Sequence, residues 1–153
     1  MDEILHDLLP GTDQRVPLHT RPSDNQRIQA RTLHDVSMYF GASDRTLTAR
    51  IQELEREWDI ERTLEANAAA IALIGLTLSL TVDRRFLVLP VAVSAFLLQH
   101  SLQGWCPPLP LLRRLGIRTS AEIHQEIIAL RILRGDFIDQ PVYPESLLAK
   151  AAL

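Results

Sequence analysis

Residues 64–82, LEANAAAIALIGLTLSLTV, and residues 86–102, FLVLPVAVSAFLLQHSL, are the two apolar stretches that decide the fold class of this chain. A bilayer core is about 30 Å thick, and a helix needs roughly 20 mostly apolar residues to cross it. Both stretches approach that length. Only Asp83, Arg84 and Arg85 separate them, so the two helices must run antiparallel. The sequence therefore predicts an all-α protein: a two-helix transmembrane hairpin with amphipathic helices on both flanks.

The second stretch leaves a soluble alternative open. Gln99 and His100 shorten its unbroken apolar run to residues 86–98, a length at which a buried helix of a soluble protein competes with a membrane span. In that alternative the chain is a soluble helical bundle that buries Leu64 to Leu102 inside the protein. Such a hairpin needs a further layer of the protein to cover it.

Composition and motifs exclude several classes of function. The 153 residues carry a formal net charge of −3 and contain no nucleic-acid-binding motif, so we expect no nucleic-acid partner. A single cysteine, Cys106, rules out an internal disulfide framework. No nucleophilic triad or glycine-rich phosphate loop is recognisable, and the hairpin has no ionisable group at mid-membrane. We predict a non-enzymatic protein with no cofactor, no metal site and no small-molecule substrate.

The amino-terminal flank is predicted to be a flexible tail over residues 1–22 and an amphipathic helical region over residues 23–58. Ser23 and Gln26 have the spacing of a capping box, and Ser43 is suited to cap a second helix. That second helix presents an apolar face at helical spacing, through which we expect it to contact a helix of a protein partner or of a second copy of the chain. The members of this face are Leu47, Ile51, Leu54 and Trp58.

The start of the first apolar stretch is open. No glycine or proline separates it from the preceding helix, so one helix from Asp44 to Val82 and a break near Trp58 and Asp59 both agree with the sequence. If the chain breaks there, the tryptophan suits headgroup level, where its ring is buried and its N–H stays hydrated.

Small side chains recur along one face of the first apolar stretch. They are Ala68, Ala72, Gly75 and Ser79. A stripe of this kind lets a second helix approach closely, which favours helix association in lipid. The candidate neighbours are the second stretch, through Val91, Ala95 and Gln99, a second copy of the chain, or a protein partner. The alternative is that these are ordinary residues of a span.

The rest of the chain divides into the hairpin domain and a carboxy-terminal flank. Residues 59–120 are assigned to the hairpin domain, and residues 121–153 to an amphipathic carboxy-terminal helix and tail. Thr119 and Glu122 have the spacing of a capping box at the start of that helix. A further helical turn is expected between residues 145 and 150, after the prolines that break the tail.

Basic residues predict an orientation and a lipid contact. The flanks of the hairpin carry more arginines than its turn, so the positive-inside bias places both termini in the cytoplasm. Three arginines that follow the hairpin are expected to bind anionic lipid headgroups: Arg113, Arg114 and Arg118. The expected partners are therefore membrane lipids, together with a protein partner or a homo-oligomer.

The order of the motifs resembles a known family. Two short spans are followed by Gly104-Trp105-Cys106-Pro107 and then by Leu115-Gly116-Ile117-Arg118-Thr119, as in the YgaP-like transmembrane domain of bacterial inner-membrane proteins. The resemblance covers roughly residues 59–120. It implies a multi-pass helical hairpin of unknown biochemical role in the bacterial inner membrane. Some members join this domain to a rhodanese domain with a sulfur-transferring cysteine, whereas this chain shows no rhodanese-length segment and no such active-site loop.

Cys106 is the one candidate for chemistry. Its place beside the membrane boundary suggests a redox or sulfur relay for a partner protein, by analogy with the rhodanese-linked relatives. A reactive thiol needs a low pKa, and Arg113 and Arg114 are near in sequence. The other interpretation is a small apolar residue packed in a tight turn. With His100 as its only neighbouring soft ligand, Cys106 falls short of a metal site.

Overall fold

The structure of the protein is a computed structural model that describes residues 10–137. Over that range the chain is α-helical without a strand, so the all-α prediction is confirmed. The helices are α1 (Arg15–Leu18), α2 (Pro22–Met38), α3 (Asp44–Leu54), α4 (Ile60–Thr81), α5 (Val88–Gln103), α6 (Leu109–Arg114) and α7 (Ser120–Arg134), with a 3₁₀ helix (Arg84–Leu87) between α4 and α5. The turn predicted between residues 145 and 150 lies outside the described residues.

Helices α4 and α5 form the hairpin. Asp59 is the N-cap of α4, and its Oδ1 accepts a hydrogen bond from the Arg62 backbone N–H at 2.8 Å. Between the two helices, Asp83 Oδ1 accepts from the Arg85 backbone N–H at 2.8 Å and begins the 3₁₀ helix. At the far end Gly104 stops α5 with φ 78°, a left-handed conformation that favours glycine. The connection is short enough that α4 and α5 pack side by side.

The chain breaks before α4, so the single long helix is excluded. Helix α3 ends at Leu54, and Trp58 lies in the loop that follows. The ring of Trp58 is half exposed, and the Arg62 guanidinium lies 4.5 Å from its centroid. The prediction that Trp58 extends the apolar face of α3 is wrong, because the chain leaves the helix before it reaches this residue.

Two of the three predicted helix starts are confirmed. Ser43 caps α3 through its side chain, and Thr119 and Glu122 form a complete capping box at α7. The capping box at Ser23 is wrong. The N-cap of α2 is Arg21, two residues earlier, and the helix begins at Pro22 because the fixed φ of proline suits the first position of a helix.

The glycine of the small-residue stripe lies against α5. A Cβ added at Gly75 would be 2.7 Å from Pro90 Cδ and 2.8 Å from Leu89 Cβ. These distances are too short for a carbon–carbon contact, so only glycine fits at this position. Ala68 is buried as well. At Gly75 the stripe therefore contacts the second apolar stretch, which was one of the candidate neighbours. The residues of α5 that face Gly75 are Leu89 and Pro90. Val91, which was predicted to face the stripe with Ala95 and Gln99, is instead 67% exposed.

Helices α2, α3, α6 and α7, which precede and follow the hairpin in the sequence, form a helical domain. Helix α3 packs on α7, and α2 contacts α7 as well. The core between α3 and α7 consists of Leu47, Ile51, Leu54, Ile123, Ile127 and Leu130. The apolar face of α3 is thus buried as predicted, but the expected contact of Leu47, Ile51 and Leu54 with a partner helix is corrected. That face is covered by α7 of the same chain.

Residues 10–22 pack against the hairpin instead of forming the predicted flexible tail. A Cβ added at Gly104 would lie 2.4 Å from the Arg15 carbonyl oxygen, so the backbone of α1 touches the end of α5. Val16 is almost fully buried there. It belongs to a second core with Ile60, Leu64, Cys106 and Leu109. Residues 1–9, the remainder of the predicted tail, lie outside the described residues.

Candidate functional site

Arg113 lies fully buried at the end of α6, where it joins separate parts of the chain. Its guanidinium donates to both Glu122 carboxylate oxygens at 2.7 Å and to the Ile117 carbonyl at 3.1 Å. The remaining N–H groups donate to Thr20 Oγ1 at 3.1 Å and to Asn25 Oδ1 at 2.9 Å. Every donor of the side chain therefore has a partner, as a buried charge requires.

The pairing also changes the acidity of Glu122. Burial alone would raise the pKa of this carboxyl group, but hydrogen bonds from Arg113 and from the Thr119 backbone hold the pKa below its ordinary value. Glu122 is therefore ionised at neutral pH, and it serves the capping box of α7 and the pair with Arg113 at once.

Glu126 is the centre of a second ionic network. It is fully buried on α7 and accepts hydrogen bonds from Arg50 Nη2, at 2.9 Å, and from Arg118 Nη1. Arg118 also donates to the two Glu57 carboxylate oxygens, at 2.9 and 2.5 Å. Burial lowers the pKa of Arg118, but its hydrogen bonds to Glu57 and Glu126 outweigh burial and raise the pKa. The network connects α3, the loop after it and α7.

These two networks correct the prediction that Arg113 and Arg118 bind lipid headgroups. Both side chains are buried, and their guanidinium groups hold carboxylates of the same chain. Neither is available to a phosphate outside the protein. Arg114, between them, is exposed, and its contact with a headgroup stays a prediction.

A third polar cluster lies where α1 meets the base of the hairpin. Arg15 Nη1 donates to the Ser101 carbonyl at 2.9 Å, and its Nη2 donates to Glu61 Oε1 at 3.0 Å. His100 is buried, and its Nε2 lies 4.0 Å from the same Glu61 oxygen. Arg15 thus ties the first turn of α4 to the last turn of α5 and closes the hairpin at its base.

Cys106 has the properties of a structural cysteine. Its side chain is 3% exposed. Burial raises the pKa of the thiol, and the charge of Glu61 acts in the same direction, while a hydrogen bond from the Leu109 backbone opposes them by less. A reactive cysteine needs an accessible thiol with a lowered pKa. Both features argue against the redox or sulfur relay.

We expect Cys106 to react slowly with a water-soluble maleimide in the folded protein. The comparison is a cysteine placed at exposed Ser120 in a Cys106→Ala background, which should react at least about tenfold faster at neutral pH. The labelling rate of Cys106 should keep rising with pH beyond about 8.5, the pKa of a free cysteine. Equal rates at the two positions would contradict the structural assignment and favour the relay.

An apolar cavity of about 530 Å³ lies between the hairpin and α6. Its polar lining groups are the Cys106 thiol and the Asn67 amide, and Asn67 already donates to the Thr63 carbonyl at 2.7 Å. The other lining residues are hydrophobic and come from α4, α5 and the segment around α6. They include Leu64, Ile71, Val93, Phe96, Leu97 and Leu111.

The chain matches no protein-family model, no curated protein and no solved structure. The YgaP-like resemblance rests on the order of the two spans and of the motifs between residues 104 and 119 that follow them, and it stays a prediction. Among residues 10–137, no group of three or more His, Cys, Asp and Glu side chains is placed to hold a metal ion.

Sequence reasoning missed the partners that build this site. Arg113 and Asn25 are 88 residues apart, and no local pattern links residues so distant along the chain. Arg15 and Thr20 were assigned to the flexible tail. One usable signal was present, because the capping box at Thr119 places Glu122 only nine residues after Arg113 in the sequence.

Proposed function

We propose that this protein is a non-enzymatic integral membrane protein in which α4 and α5 anchor the helical domain at a membrane surface. One observation carries the proposal. The two candidate spans are Ile60–Thr81 and Arg84–Gln103, and each has a mean hydropathy of 1.5. In the most apolar 18-residue segment of each span, only 11% and 6% of the segment, respectively, is buried inside the structure. A core helix of a soluble protein is mostly buried, whereas a span in a bilayer presents its apolar side chains to lipid.

The distribution of exposed side chains supports the same proposal. Arg84 and Arg85 lie in the turn of the hairpin, and the network of Arg113 lies near its base. Between them the outer faces of α4 and α5 expose Leu73, Ile74, Leu80, Val88, Val91 and Leu98. Apolar surface left in water costs about 25 cal/mol per Å², and lipid chains remove this penalty.

The soluble-bundle alternative requires a layer of protein over Leu64 to Leu102. The described residues leave the outer faces of α4 and α5 exposed, so this alternative has no supporting contact among them. The low exposure of Cys106 and the ion pairs of Arg113 and Arg118 support a structural role for these groups, in keeping with a non-enzymatic protein.

The proposal extends to location and partners. The arginine bias of the sequence supports an orientation with the helical domain in the cytoplasm, and the YgaP-like resemblance supports a bacterial inner membrane. Contact with a protein partner or a second copy is part of the proposal. Such a contact would cover apolar side chains that the helical domain exposes, among them Leu33, Met38 and Phe40.

Membrane fractionation with a carbonate wash tests the anchor. We expect the protein to stay in the washed membrane. Single cysteines at exposed Asp83 and Ser120, in a Cys106→Ala background, should label from opposite sides of the membrane, with the unsubstituted background as control. Release of the protein by carbonate, or labelling of both positions from one side, would overturn the proposal.

A further inference from the structure

The cavity between the hairpin and α6 has the size of a ligand site. Its volume, about 530 Å³, lies within the roughly 300–1,000 Å³ that is typical of pockets for small molecules. Helix α4 lines it with Leu64 and Ala68, and α5 lines it with Val93 and Leu97. It therefore occupies the half of the hairpin that is next to the helical domain.

The lining chemistry selects a hydrocarbon occupant. The lining offers few polar groups to a ligand, since the Asn67 amide already donates to the Thr63 carbonyl and the Cys106 thiol is buried. Within residues 10–137, the side chains that line it are all uncharged. The cavity is open, since its lining residues Ile71, Phe96 and Leu111 are 44%, 43% and 59% exposed, so an apolar chain that lies in it covers apolar surface that is otherwise exposed.

A cationic group stands beside the opening. Leu111 lines the cavity and is 59% exposed, so it lies at the mouth. Arg114 follows it by three residues on α6, which places the two side chains next to each other on the helix surface. Arg114 is exposed, unlike Arg113, whose N–H groups are all occupied within the protein. The opening thus combines an apolar interior with a positive rim.

We propose that this cavity holds one acyl chain of an anionic phospholipid, with the phosphate of that lipid at Arg114. The inference rests on the proposed membrane location, because phospholipid is the apolar ligand that surrounds the hairpin there. An anionic headgroup is attracted to a basic side chain at the surface, and an acyl chain matches the uncharged lining.

Native mass spectrometry of the full chain in mild detergent tests the site. The probes are phosphatidylglycerol and phosphatidylcholine with identical acyl chains. We expect one retained lipid and a preference for phosphatidylglycerol of about fivefold, the factor that corresponds to the contribution of one basic residue near a charged surface. Arg114→Gln should abolish the preference while one lipid is still retained. Arg84→Gln, in the turn at the other end of the hairpin, is the matched control and should leave the preference unchanged.

Two variants test the acyl-chain part separately. Val93→Phe fills the cavity from α5, and Leu111→Trp covers its mouth from an exposed position that tolerates a larger side chain. Each should reduce retention of both lipids severalfold. Equal retention of the two lipids by the unsubstituted protein, or undiminished retention by Leu111→Trp, overturns the lipid site. If the same variants stay in the carbonate-washed membrane, only the lipid site is contradicted and the membrane anchor is supported. If carbonate releases them, the proposed anchor is contradicted as well.

Discussion

Replacing Arg113 by methionine is expected to lower the free energy of unfolding by about 3–5 kcal/mol, the usual effect of removing one partner of a buried ion pair. Methionine fills part of the volume but makes none of the hydrogen bonds of the guanidinium. The Glu122 carboxylate loses both contacts at 2.7 Å, and Thr20 and Asn25 lose their links to α6. The measurement is urea unfolding of the full chain in mild detergent, followed by circular dichroism.

The controls separate the buried pair from a general effect of lost charge. Arg45→Met removes an exposed arginine of α3 and should change stability by less than about 0.5 kcal/mol. Adding Glu122→Gln to Arg113→Met should recover part of the loss, because glutamine removes the unpaired charge and still accepts from the Thr119 N–H. A loss in Arg113→Met no larger than that in Arg45→Met would show that the pair does not join α6 to its neighbours.

The same pair predicts a pH dependence. The pKa of Glu122 is lower in the folded protein than in the unfolded chain. Its stabilisation is therefore fully present above the pKa of an unfolded glutamate, about 4.3, and is lost as the pH falls through the lower folded value. The stability of the unsubstituted protein and of Arg113→Met should converge in acid.

Replacing Gly75 by isoleucine is expected to force α4 and α5 apart. The first added carbon already falls 2.7 Å from Pro90 Cδ and 2.8 Å from Leu89 Cβ, and a proline ring cannot rotate away. The loss of stability should reach the upper end of the about 1–3 kcal/mol that overpacking typically costs. Thermal unfolding in detergent measures it, while light scattering after size-exclusion chromatography gives the oligomeric state.

Ala70→Ile is the matched control, since it places the same side chain on the exposed face of the same helix. It should leave the melting temperature nearly unchanged. We expect the oligomeric state of Gly75→Ile to match that of the unsubstituted protein, because the glycine faces α5 of its own chain. A smaller oligomer together with an unchanged melting temperature would instead assign the stripe to a contact between copies.

The features that could be predicted from the sequence depend on short-range signals. Two long apolar runs with a three-residue connection predict a hairpin because no other short-range arrangement accommodates both helices. The caps at Ser43 and Thr119 were predictable because the residues that make them are three positions apart.

The features that could not be predicted depend on which distant residues meet. An amphipathic face shows that a helix is covered but not what covers it, and Leu47, Ile51 and Leu54 proved to face α7 of the same chain rather than a partner. Arginines next to an apolar segment suit lipid headgroups by composition alone. Arg118 instead reaches Glu57, and Arg113 reaches Thr20 and Asn25, partners that only the folded chain brings near them.

The order of the core residues along the chain sets a condition on how this protein is made. The face of α3 leaves the ribosome well before its partners Ile123, Ile127 and Leu130, because the whole hairpin is synthesised in between. At about 5–20 residues per second, that delay lasts several seconds. During this interval α2 and α3 have no core to join, and Glu126 is not yet present to pair with Arg50. The helical domain can therefore complete its fold only after the hairpin has been synthesised, which makes the assembly of the two parts sequential.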